Sequence, residues 1–592
     1  MVKKTGVSAV HFSSLRRQFL KRVGATGLLT GLQLVPSLLY ARSKLKKNGT
    51  LYGKVFNLTI GYTAVNFSGA ERVATTVNGS VPGPTLFWQE GDEVTVHVNN
   101  TLPVKTSIHW HGIILPTDMD GVPGVSFDGI EAGETFTYRF NVQQSGTYWY
   151  HSHSGFQEQT GLYGAIVVLP KEPEGFSYDR DYVVMLSDWS DTAPEIIYKN
   201  LKKNPEFYVT NKRTVLDLWR DIKSKGIRQT WQDRAMWNEM RMSDRDIADV
   251  TGQTYTFLMN GMPPEQSWFG LFQQHEKIRL RFINGAAMSI FDVRIPGLKM
   301  TVVSADGQAV QPVTVDEFRI ATAETYDVIV EPDADHAYSI FAQSIDRSGY
   351  TCGTLSNDVK RIAPPPQMDP APILSHRDMG MADHEKMAHQ HHERLAKDKP
   401  EGDHNKPLAK AGEGSFQGIQ HADTEFGYQV DMRAENPANG VNDPGIGLRH
   451  HQHLYQRRVL TYADLRNAFP TIDQREPSRE IQLHLTGNMH RYMWSINGLA
   501  ASEASPIELK FNERVRFTLV NDTMMTHPIH LHGMWSELET GDGEYLPRKH
   551  TVIVQPGSKI SYLVSADAMG SWAYHCHLLY HMPGMFRIIQ VS

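Results

Sequence analysis

The C-terminal segment of the chain combines a single cysteine with closely spaced histidines and a methionine. It reads His575-Cys576-His577 and is followed by His581 and Met585. Two histidines, one cysteine and a weak axial methionine form the ligand set of an electron-transfer copper site. On an extended strand the Cys576 side chain would point to one face and its two neighbours to the other, because successive side chains alternate. The pattern therefore predicts that one strand serves two adjacent metal sites.

Two H-x-H pairs lie between residues 109 and 153, and two more lie between residues 530 and 577. A strand places both imidazoles of such a pair on one face, roughly 6 to 7 Å apart, which suits two neighbouring metal ions. A single pair is more often structural or accidental, whereas four pairs favour a metal cluster. The pairs are His109/His111, His151/His153, His530/His532 and His575/His577.

Length and composition indicate a large globular protein with several domains. The chain has 592 residues, of which 40% are hydrophobic and 21% charged, and its formal net charge is -6. A single hydrophobic core stops growing well below this size, so three or four domains are expected. The net charge gives no indication of a basic patch, and we expect no nucleic-acid partner.

The N-terminus is predicted to be an export signal. Arg16-Arg17 and the apolar run from Val23 to Leu39 resemble a twin-arginine signal, although Leu15 replaces the usual Ser or Thr. The apolar run is short and interrupted by glycines and a proline, so removal is favoured over membrane anchoring. We therefore expect a signal at residues 1–41, export of the folded protein to the periplasm, and no stable membrane span.

Residues 50 to 360 have the composition of an all-β protein, with short β-branched and aromatic runs between turn residues. Three similar runs recur about 200 residues apart, which is a weak internal repeat. They begin at Glu93, Lys277 and Arg514, and an asparagine follows each (Asn99, Asn284, Asn521). The repeat predicts three β-sandwiches at 50–170, 175–350 and 455–592, with a helical segment at 214–249 in the second.

Residues 362–450 are predicted to be a flexible insert, because they are rich in Pro, Lys, Glu and Gly and poor in aliphatic residues. Thioether and imidazole groups suit copper ions. A merely polar linker is the alternative, but it would not require so many Met and His neighbours. These are His376, Met379, Met381, His384, Met387, His389, His391 and His392.

The two cysteines, Cys352 and Cys576, are expected to stay unpaired. A disulfide is the alternative in an oxidising compartment, but it would consume the thiolate that the copper pattern requires. Cys352 is expected to be a small buried residue.

Together the histidine motifs resemble those of the multicopper oxidases. H-W-H-G, H-S-H, H-P-I-H-L-H-G and H-C-H-x₃-H are similar to the family's four copper-binding motifs and occur in the family order. With the export signal and the Met/His-rich insert, the chain is most similar to bacterial copper-resistance oxidases. The resemblance implies an all-β fold of three consecutive cupredoxin-like Greek-key sandwiches with the insert before the third.

The same resemblance implies four copper ions and a ligand set for each. The type 1 copper ligands would be His527, Cys576 and His581, with Met585 as the axial ligand. The type 2 copper ligands would be His109 and His530. The type 3 pair would be held by His111, His151, His153, His532, His575 and His577. The cluster of type 2 and type 3 ions would lie between the first and third domains, and the second would act as a spacer.

Two positions depart from the family pattern, and one acid matches it. Met585 stands nine residues after Cys576, whereas the family usually has its methionine at the tenth place, here Phe586. Met582 occupies a position where many relatives carry an acid. Asp120 matches the family's cluster-side acid; the alternative is an ordinary loop residue.

The implied reaction couples one-electron oxidations at type 1 copper to reduction of O₂ to water, with Cys576 passing electrons and Asp120 supplying protons. We expect Cu(I) as the reductant, and periplasmic copper carriers as candidate partners. The alternatives are a laccase-like oxidase of phenols or aromatic amines, and a periplasmic copper-sequestering protein. Candidate residues for substrate copper are Asp522, Met524 and Met525, and Met379, Met381, His384, Met387 and His389 of the insert.

Overall fold

The computed structural model describes residues 49–239, 243–332, 335–380 and 418–592. These residues form six β-sheets that pair into three sandwiches along the chain. The predicted export signal and the insert residues Met381, His384, Met387 and His389 lie outside the described residues. No helix of the described part is long and apolar enough to cross a membrane.

The first sandwich packs a five-stranded sheet (β1-β4-β9-β8-β6) on a four-stranded one (β3-β2-β5-β7). Its core contains Trp88, Trp110 and Tyr138. Its strands are β1 (Thr50–Tyr52), β2 (Val55–Val65), β3 (Arg72–Val77), β4 (Thr85–Gln89), β5 (Glu93–Asn100), β6 (His109–His111), β7 (Thr135–Asn141), β8 (Gly146–His151) and β9 (Tyr163–Leu169).

The second sandwich has sheets of six and five strands, in the orders β11-β10-β13-β18-β15-β16 and β12-β20-β19-β14-β17. Its strands are β10 (Arg180–Ser190), β11 (Tyr255–Met259), β12 (Trp268–Leu271), β13 (Ile278–Asn284), β14 (Phe291–Arg294), β15 (Met300–Ala305), β16 (Gln308–Val315), β17 (Glu317–Ile320), β18 (Thr325–Val330), β19 (Tyr338–Ser344) and β20 (Tyr350–Ser356). Its helices are α1 (Pro194–Lys203), α2 (Val215–Lys225) and α3 (Ile227–Glu239).

The third sandwich has one sheet in the order β23-β22-β25-β30-β27-β28, with β21 beside β30, and a second in the order β24-β32-β31-β26-β29. A short helix, α4 (His451–Tyr455), precedes most of it. Its strands are β21 (Ala438–Asn439), β22 (Arg479–Asn488), β23 (Met493–Ile496), β24 (Ile507–Leu509), β25 (Arg514–Asn521), β26 (His527–Leu531), β27 (Ser536–Leu538), β28 (Arg548–Lys549), β29 (Thr551–Val554), β30 (Ser558–Ser565), β31 (Gly570–Cys576) and β32 (Phe586–Val591).

The internal repeat corresponds to one strand arrangement that occurs in all three sandwiches. The pairs β2/β5, β10/β13 and β22/β25 are parallel, and an antiparallel strand follows each. Asn100, Asn284 and Asn521 end the repeated strands. Each side-chain amide donates to one carbonyl of the following loop and to one carbonyl about 30 residues farther along the chain. The predicted Asn99 is therefore off by one residue.

The predicted helical segment at 214–249 is shorter than expected. Thr214 caps α2 through a capping box with Asp217, and Gly226, at φ +81°, separates α2 from α3. Residues 243–250 are not helical. The sequence interpretation also missed α1, which begins at Pro194, a residue tolerated in a first helical turn.

The flanks of the predicted insert pack against the sandwiches, although they contain little regular structure. Leu374, Val441 and Ile446 are buried in the main hydrophobic core because their scattered apolar side chains reach it. Met379 is also fully buried there, at 0% exposure, so its thioether is not at the surface.

Candidate metal centre

The four H-x-H pairs come together because two strand pairs, one in each outer sandwich, face each other. In the first sandwich β6 and β8 are antiparallel, with His109 opposite His151. In the third, β26 and β31 are antiparallel, with His530 opposite His575. His532 and His577 directly follow β26 and β31, and His153 stands two residues after the end of β8, so eight imidazoles converge where the two sandwiches meet.

Ring nitrogens from the two sandwiches approach each other closely. His575 Nε2 lies 3.2 Å from His532 Nε2 and 3.3 Å from His153 Nε2. On the other side, His577 Nε2 lies 3.4 Å from His151 Nε2. These contacts join residues far apart in the chain, and His153, His532 and His575 form a group of three donors able to hold one metal ion.

The hydrogen bonds of His575 indicate that its lone pair faces its neighbours. Its Nδ1–H donates to the Cys576 carbonyl at 3.0 Å, which leaves Nε2 without a proton in the neutral ring. His532 Nδ1 lies 2.9 Å from an Asp120 carboxylate oxygen, which favours the same tautomer. Two lone pairs that converge this closely repel each other unless a cation lies between them. A metal ion satisfies both.

His109 and His530 form a separate pair of donors. Their Nδ1–H groups donate to the backbone carbonyls of Asp120 and His550, at 2.7 and 2.6 Å. Both Nε2 atoms are buried and lack a hydrogen-bond partner. A metal-bound histidine typically donates its other N–H to such a carbonyl or a carboxylate. The two unpartnered nitrogens therefore fit a metal ion.

His111 has the opposite arrangement. Its Nδ1 is the buried nitrogen without a partner, and its Nε2 faces His550 Nδ1 at 3.2 Å. Nothing in the sequence motifs pointed to His550. Its proximity to the cluster results from β29, which pairs with β26 and begins directly after it.

Two buried acids hold the rings in place. Asp120 contacts both His532 and His109, with Oδ1 3.3 Å from His109 Nδ1. Glu158, which the sequence interpretation missed, lies 2.7 Å from His151 Nδ1. Burial, with Asp188 nearby, raises the pKa of Glu158 well above its usual range. Asp120 thus lies beside the clustered imidazoles.

Burial keeps the clustered imidazoles neutral. It lowers the pKa of His111, His151 and His532 well below its usual range, and the neighbouring histidines lower it further. Burial lowers the pKa of His575 to about 4. The rings therefore present lone pairs, the form that binds metal ions, across the neutral range.

A second group of donors lies on the opposite face of β31. Cys576 Sγ is 3.5 Å from His527 Nδ1 and 3.9 Å from His581 Nδ1, and the two nitrogens are 3.3 Å apart. Three ligands around one ion with bonds of about 2.0–2.3 Å are separated by about 3.5 Å. The triangle of donors therefore has the dimensions of a trigonal metal site.

Cys576 and Cys352 are both free thiols, as predicted. Burial raises the pKa of the Cys576 thiol far above its ordinary value. A coordinating metal removes the thiol proton outright. Cys576 thus requires a bound ion to become a thiolate in this apolar surrounding.

The second sandwich takes part in both groups and is more than the predicted spacer. Asp249, in the loop after α3, places Oδ2 2.6 Å from His581 Nε2. Asp306, between β15 and β16, accepts hydrogen bonds from the backbone N–H groups of His550 and Thr551. H-x-H spacing could not reveal these contacts because single acids on distant loops form them.

Met585 and Phe586 face different groups. Phe586 is opposite His575 in the β31/β32 pair, and its ring stacks on that imidazole at 5.6 Å. Residues opposite each other share a face of the sheet. Met585 is buried, and its carbonyl accepts a hydrogen bond from the Cys576 N–H at 3.0 Å. Of the two residues, Met585 lies beside the cysteine group.

The three residues proposed for substrate copper before His527 are separated in the structure. Met524 lines a surface cavity of about 310 Å³ together with Met489, His490 and Asp246. Met525 is buried beside the Asp249 loop. The Asp522 side chain faces His484 instead, with Oδ2 2.7 Å from its Nδ1. Only Met524 therefore lies at this cavity.

Comparison with known proteins supports a metal-dependent oxidase. Models of the family described as multicopper oxidase match residues 59–173, 180–359 and 474–592. Copper resistance protein A of Escherichia coli is 53% identical over 98% of this chain and 99% of that protein. A copper resistance protein A homolog of Pseudomonas syringae pv. tomato is 54% identical over 98% and 99%.

The fold agrees with this comparison. The crystal structure of Fet3p, described as a multicopper oxidase that functions in iron import, matches with a TM-score of 0.60 at 18% identity, over 92% of this chain and 91% of that one. The predicted all-β fold of cupredoxin-like sandwiches is thus confirmed. The chain belongs to the multicopper oxidases, the copper-dependent oxidoreductases that couple oxidation of a substrate to reduction of O₂.

Proposed function

We propose that the protein is a copper-resistance oxidase that oxidises Cu(I) to Cu(II) and reduces O₂ to water with four resident copper ions. His527, Cys576, His581 and Met585 would hold type 1 copper. His109 and His530 would hold type 2 copper. The type 3 pair would be held by His111, His151 and His577 and by His153, His532 and His575.

The bound coppers would supply one-electron redox chemistry and the site of O₂ reduction. The chain supplies their connection and their surroundings. Cys576 is covalently flanked by His575 and His577, and the His575 Nδ1–H donates to the Cys576 carbonyl. This gives a short covalent and hydrogen-bonded path between the two centres. Asp120 and Glu158 orient the cluster rings, and Asp120 is the proposed proton donor.

The observation that favours Cu(I) is the cavity beside the type 1 ligands. Two thioethers, Met489 and Met524, line it with His490, and these soft donors suit Cu(I). Met524 precedes His527 by three residues. Met489 and His490 lie in the turn between β22 and β23, and Trp494 of β23 stacks on His581 at 3.9 Å. A Cu(I) ion at this cavity would be close to both type 1 histidines.

Acidic groups at the cavity would add attraction for a cation. Asp246 and Glu206 both line the cavity. Burial and the nearby Asp249 raise the pKa of Asp246 well above its usual range. A cation that enters would favour its ionised form. The Met and His residues of 381–417 are proposed to deliver Cu(I) to this surface.

The names of the relatives refer to copper resistance, which favours Cu(I) over a phenol as substrate and an oxidase over a sequestering protein.

The same proposal includes export by the twin-arginine route to the periplasm. It also includes three domains, with the boundaries 50–170, 175–350 and 455–592. The residues between the second and third domains are proposed to form the insert, 362–450.

The test replaces the thioethers while keeping side-chain size. In the double variant Met489→Leu, Met524→Leu, we expect kcat/KM for Cu(I) to fall about tenfold or more, which corresponds to a loss of about 1.4 kcal/mol of transition-state stabilisation. Oxidation of a phenol by the same preparation should change less than twofold, because the resident coppers are untouched. Oxygen uptake measures both reactions.

Met569→Leu is the matched control, since Met569 is exposed and lies away from this cavity. Equal losses for Cu(I) and for the phenol would mean that the double variant damages the type 1 site. Unchanged Cu(I) kinetics in the double variant would exclude this cavity as the substrate site.

A further inference from the structure

We propose a fifth metal site, formed by His421, Glu425, His484 and Asp522 in the third sandwich, that binds a divalent ion such as Cu(II). Two imidazole nitrogens and two carboxylate oxygens would be its ligands. The site is separate from the four resident coppers and from the Met524 cavity. It does not depend on Cu(I) being the substrate.

The four donor atoms form a closed ring in which nitrogen and oxygen alternate. His421 Nδ1 lies 2.7 Å from Glu425 Oε2 and 3.7 Å from Asp522 Oδ2. His484 Nδ1 lies 2.7 Å from Asp522 Oδ2 and 3.6 Å from Glu425 Oε2. Four ligands around one ion with bonds of about 2.0–2.2 Å are about 3.0–3.5 Å apart. The edges of the ring, two of 2.7 Å and two of 3.6–3.7 Å, lie on either side of this range, so a bound ion would require the two short pairs to separate by a few tenths of an ångström.

The hydrogen bonds of His484 favour an ion at the centre. Its Nε2 lies 3.1 Å from Gln482 Oε1, and the Gln420 N–H donates to the same oxygen at 2.8 Å, which identifies that atom as an acceptor. His484 therefore donates from Nε2, so a neutral ring has its Nδ1 lone pair directed at two carboxylates. This arrangement is repulsive without a cation. A metal-bound histidine with an oxygen acceptor behind it has this geometry.

The carboxylates are also held as metal ligands commonly are. Glu425 and Asp522 are both fully buried, at 0% exposure. Asp522 Oδ1 accepts from the Ala434 N–H at 2.7 Å, and Glu425 Oε1 accepts from the Ala422 N–H at 3.3 Å. Each acid thus fixes one oxygen on the backbone and directs the other to the centre. Two buried carboxylates need positive charge nearby to remain ionised.

The site opens to the surface beside the end of the Met/His-rich segment. A cavity of about 330 Å³ is lined by Gly418, Gln420, His421, Gln482 and His484. His421 Nε2 is buried there without a hydrogen-bond partner. Gly418, at the edge of this cavity, directly follows residues 381–417 in the sequence.

The donor set identifies the class of ion. Imidazole and carboxylate ligands suit Cu(II) and Zn(II), whereas Cu(I) prefers thioether and thiolate. Among divalent first-row ions such ligands bind Cu(II) most tightly. The alternative is an ion-pair network in which both histidines carry a second proton and no metal binds.

The experiment compares copper content in full-length variants. Purified protein, His421→Gln, Glu425→Gln and the control His453→Gln, which changes an exposed histidine of α4, are dialysed against the same low concentration of Cu(II). We expect His421→Gln and Glu425→Gln to bind one copper fewer per chain than the unaltered protein and the control. Electron paramagnetic resonance should show the loss of one Cu(II) signal with couplings to two nitrogens.

The blue absorption and the phenol oxidase rate should be the same in all four proteins, which demonstrates that the variants fold and retain the resident coppers. Equal copper content in all four, with no signal lost, would overturn the proposal and leave the ion-pair network. Loss of Cu(I) oxidation in the Met489→Leu, Met524→Leu variant does not affect this result, so the two proposals can fail separately.

Discussion

At the scale of single residues, what decides the chemistry is which ring nitrogen each histidine leaves free. His109 and His530 donate from Nδ1 and leave Nε2, whereas His111 leaves Nδ1. Asp249 similarly fixes the tautomer of His581, because its carboxylate accepts a hydrogen bond from the Nε2–H group and leaves Nδ1 free. A carboxylate behind a metal-bound histidine raises the basicity of the ligand.

Asp249→Asn should therefore raise the type 1 reduction potential. The amide donates less electron density to His581, so Cu(II) loses more stability than Cu(I). Removal of a carboxylate partner of this kind typically lowers metal affinity about ten- to a hundredfold. A tenfold change confined to Cu(II) equals about 59 mV for one electron. Redox titration of the blue absorption measures it; an unchanged or lower potential would contradict this role of Asp249.

Gly121 shows how a residue without a side chain holds the cluster. Its φ is +81°, and a Cβ there would lie 1.8 Å from the Ile108 carbonyl oxygen, next to His109. Gly121→Ala should therefore shift Asp120 and His109, lower the copper content and destabilise the protein by more than the 1–3 kcal/mol of backbone strain alone.

Gly124→Ala is the matched control, because Gly124 has φ +80° but nothing within 4 Å of the added Cβ. Thermal unfolding and copper analysis of both variants separate backbone strain from the collision. Equal effects of the two substitutions would show that the contact with Ile108 has no part in positioning the cluster.

At the scale of elements, the sequence predicted the strands that carry ligands better than the contacts that hold them. Side chains alternate between the two faces of a strand, so the H-x-H and H-C-H motifs predicted which face of β6, β8, β26 and β31 carries each histidine. Glu158, His550 and Asp249 could not be predicted, since each reaches the site through a loop or a strand start from elsewhere in the fold. Asp522 was selected for its proximity to His527 in sequence, but the end of β25 directs it toward His484.

At the scale of the whole molecule, the buried neutral histidines link stability to pH. Burial lowers the pKa of both His550 and His575 to about 4, against about 6.5 in an unfolded chain. Between these values the unfolded state binds more protons, so the free energy of unfolding falls as the pH is lowered from about 6.5 toward 4.

Copper-free protein should consequently unfold at a lower urea concentration at pH 5 than at pH 7.5. Copper-loaded protein serves as the comparison, and should be more stable than the copper-free form at pH 7.5, since ions that bind only the folded state stabilise it. A copper-free protein whose urea midpoint stays constant or rises on acidification would contradict the neutral state of these rings.

The central claim is that Cu(I) is the substrate of an O₂-reducing enzyme. The most direct measurement is O₂ uptake by one copper-loaded preparation, first with Cu(I) and then with a phenol. We predict saturable oxidation of Cu(I), with four Cu(I) ions consumed per O₂, and a much lower kcat/KM for the phenol. Ready oxidation of the phenol without saturable Cu(I) oxidation would contradict the claim.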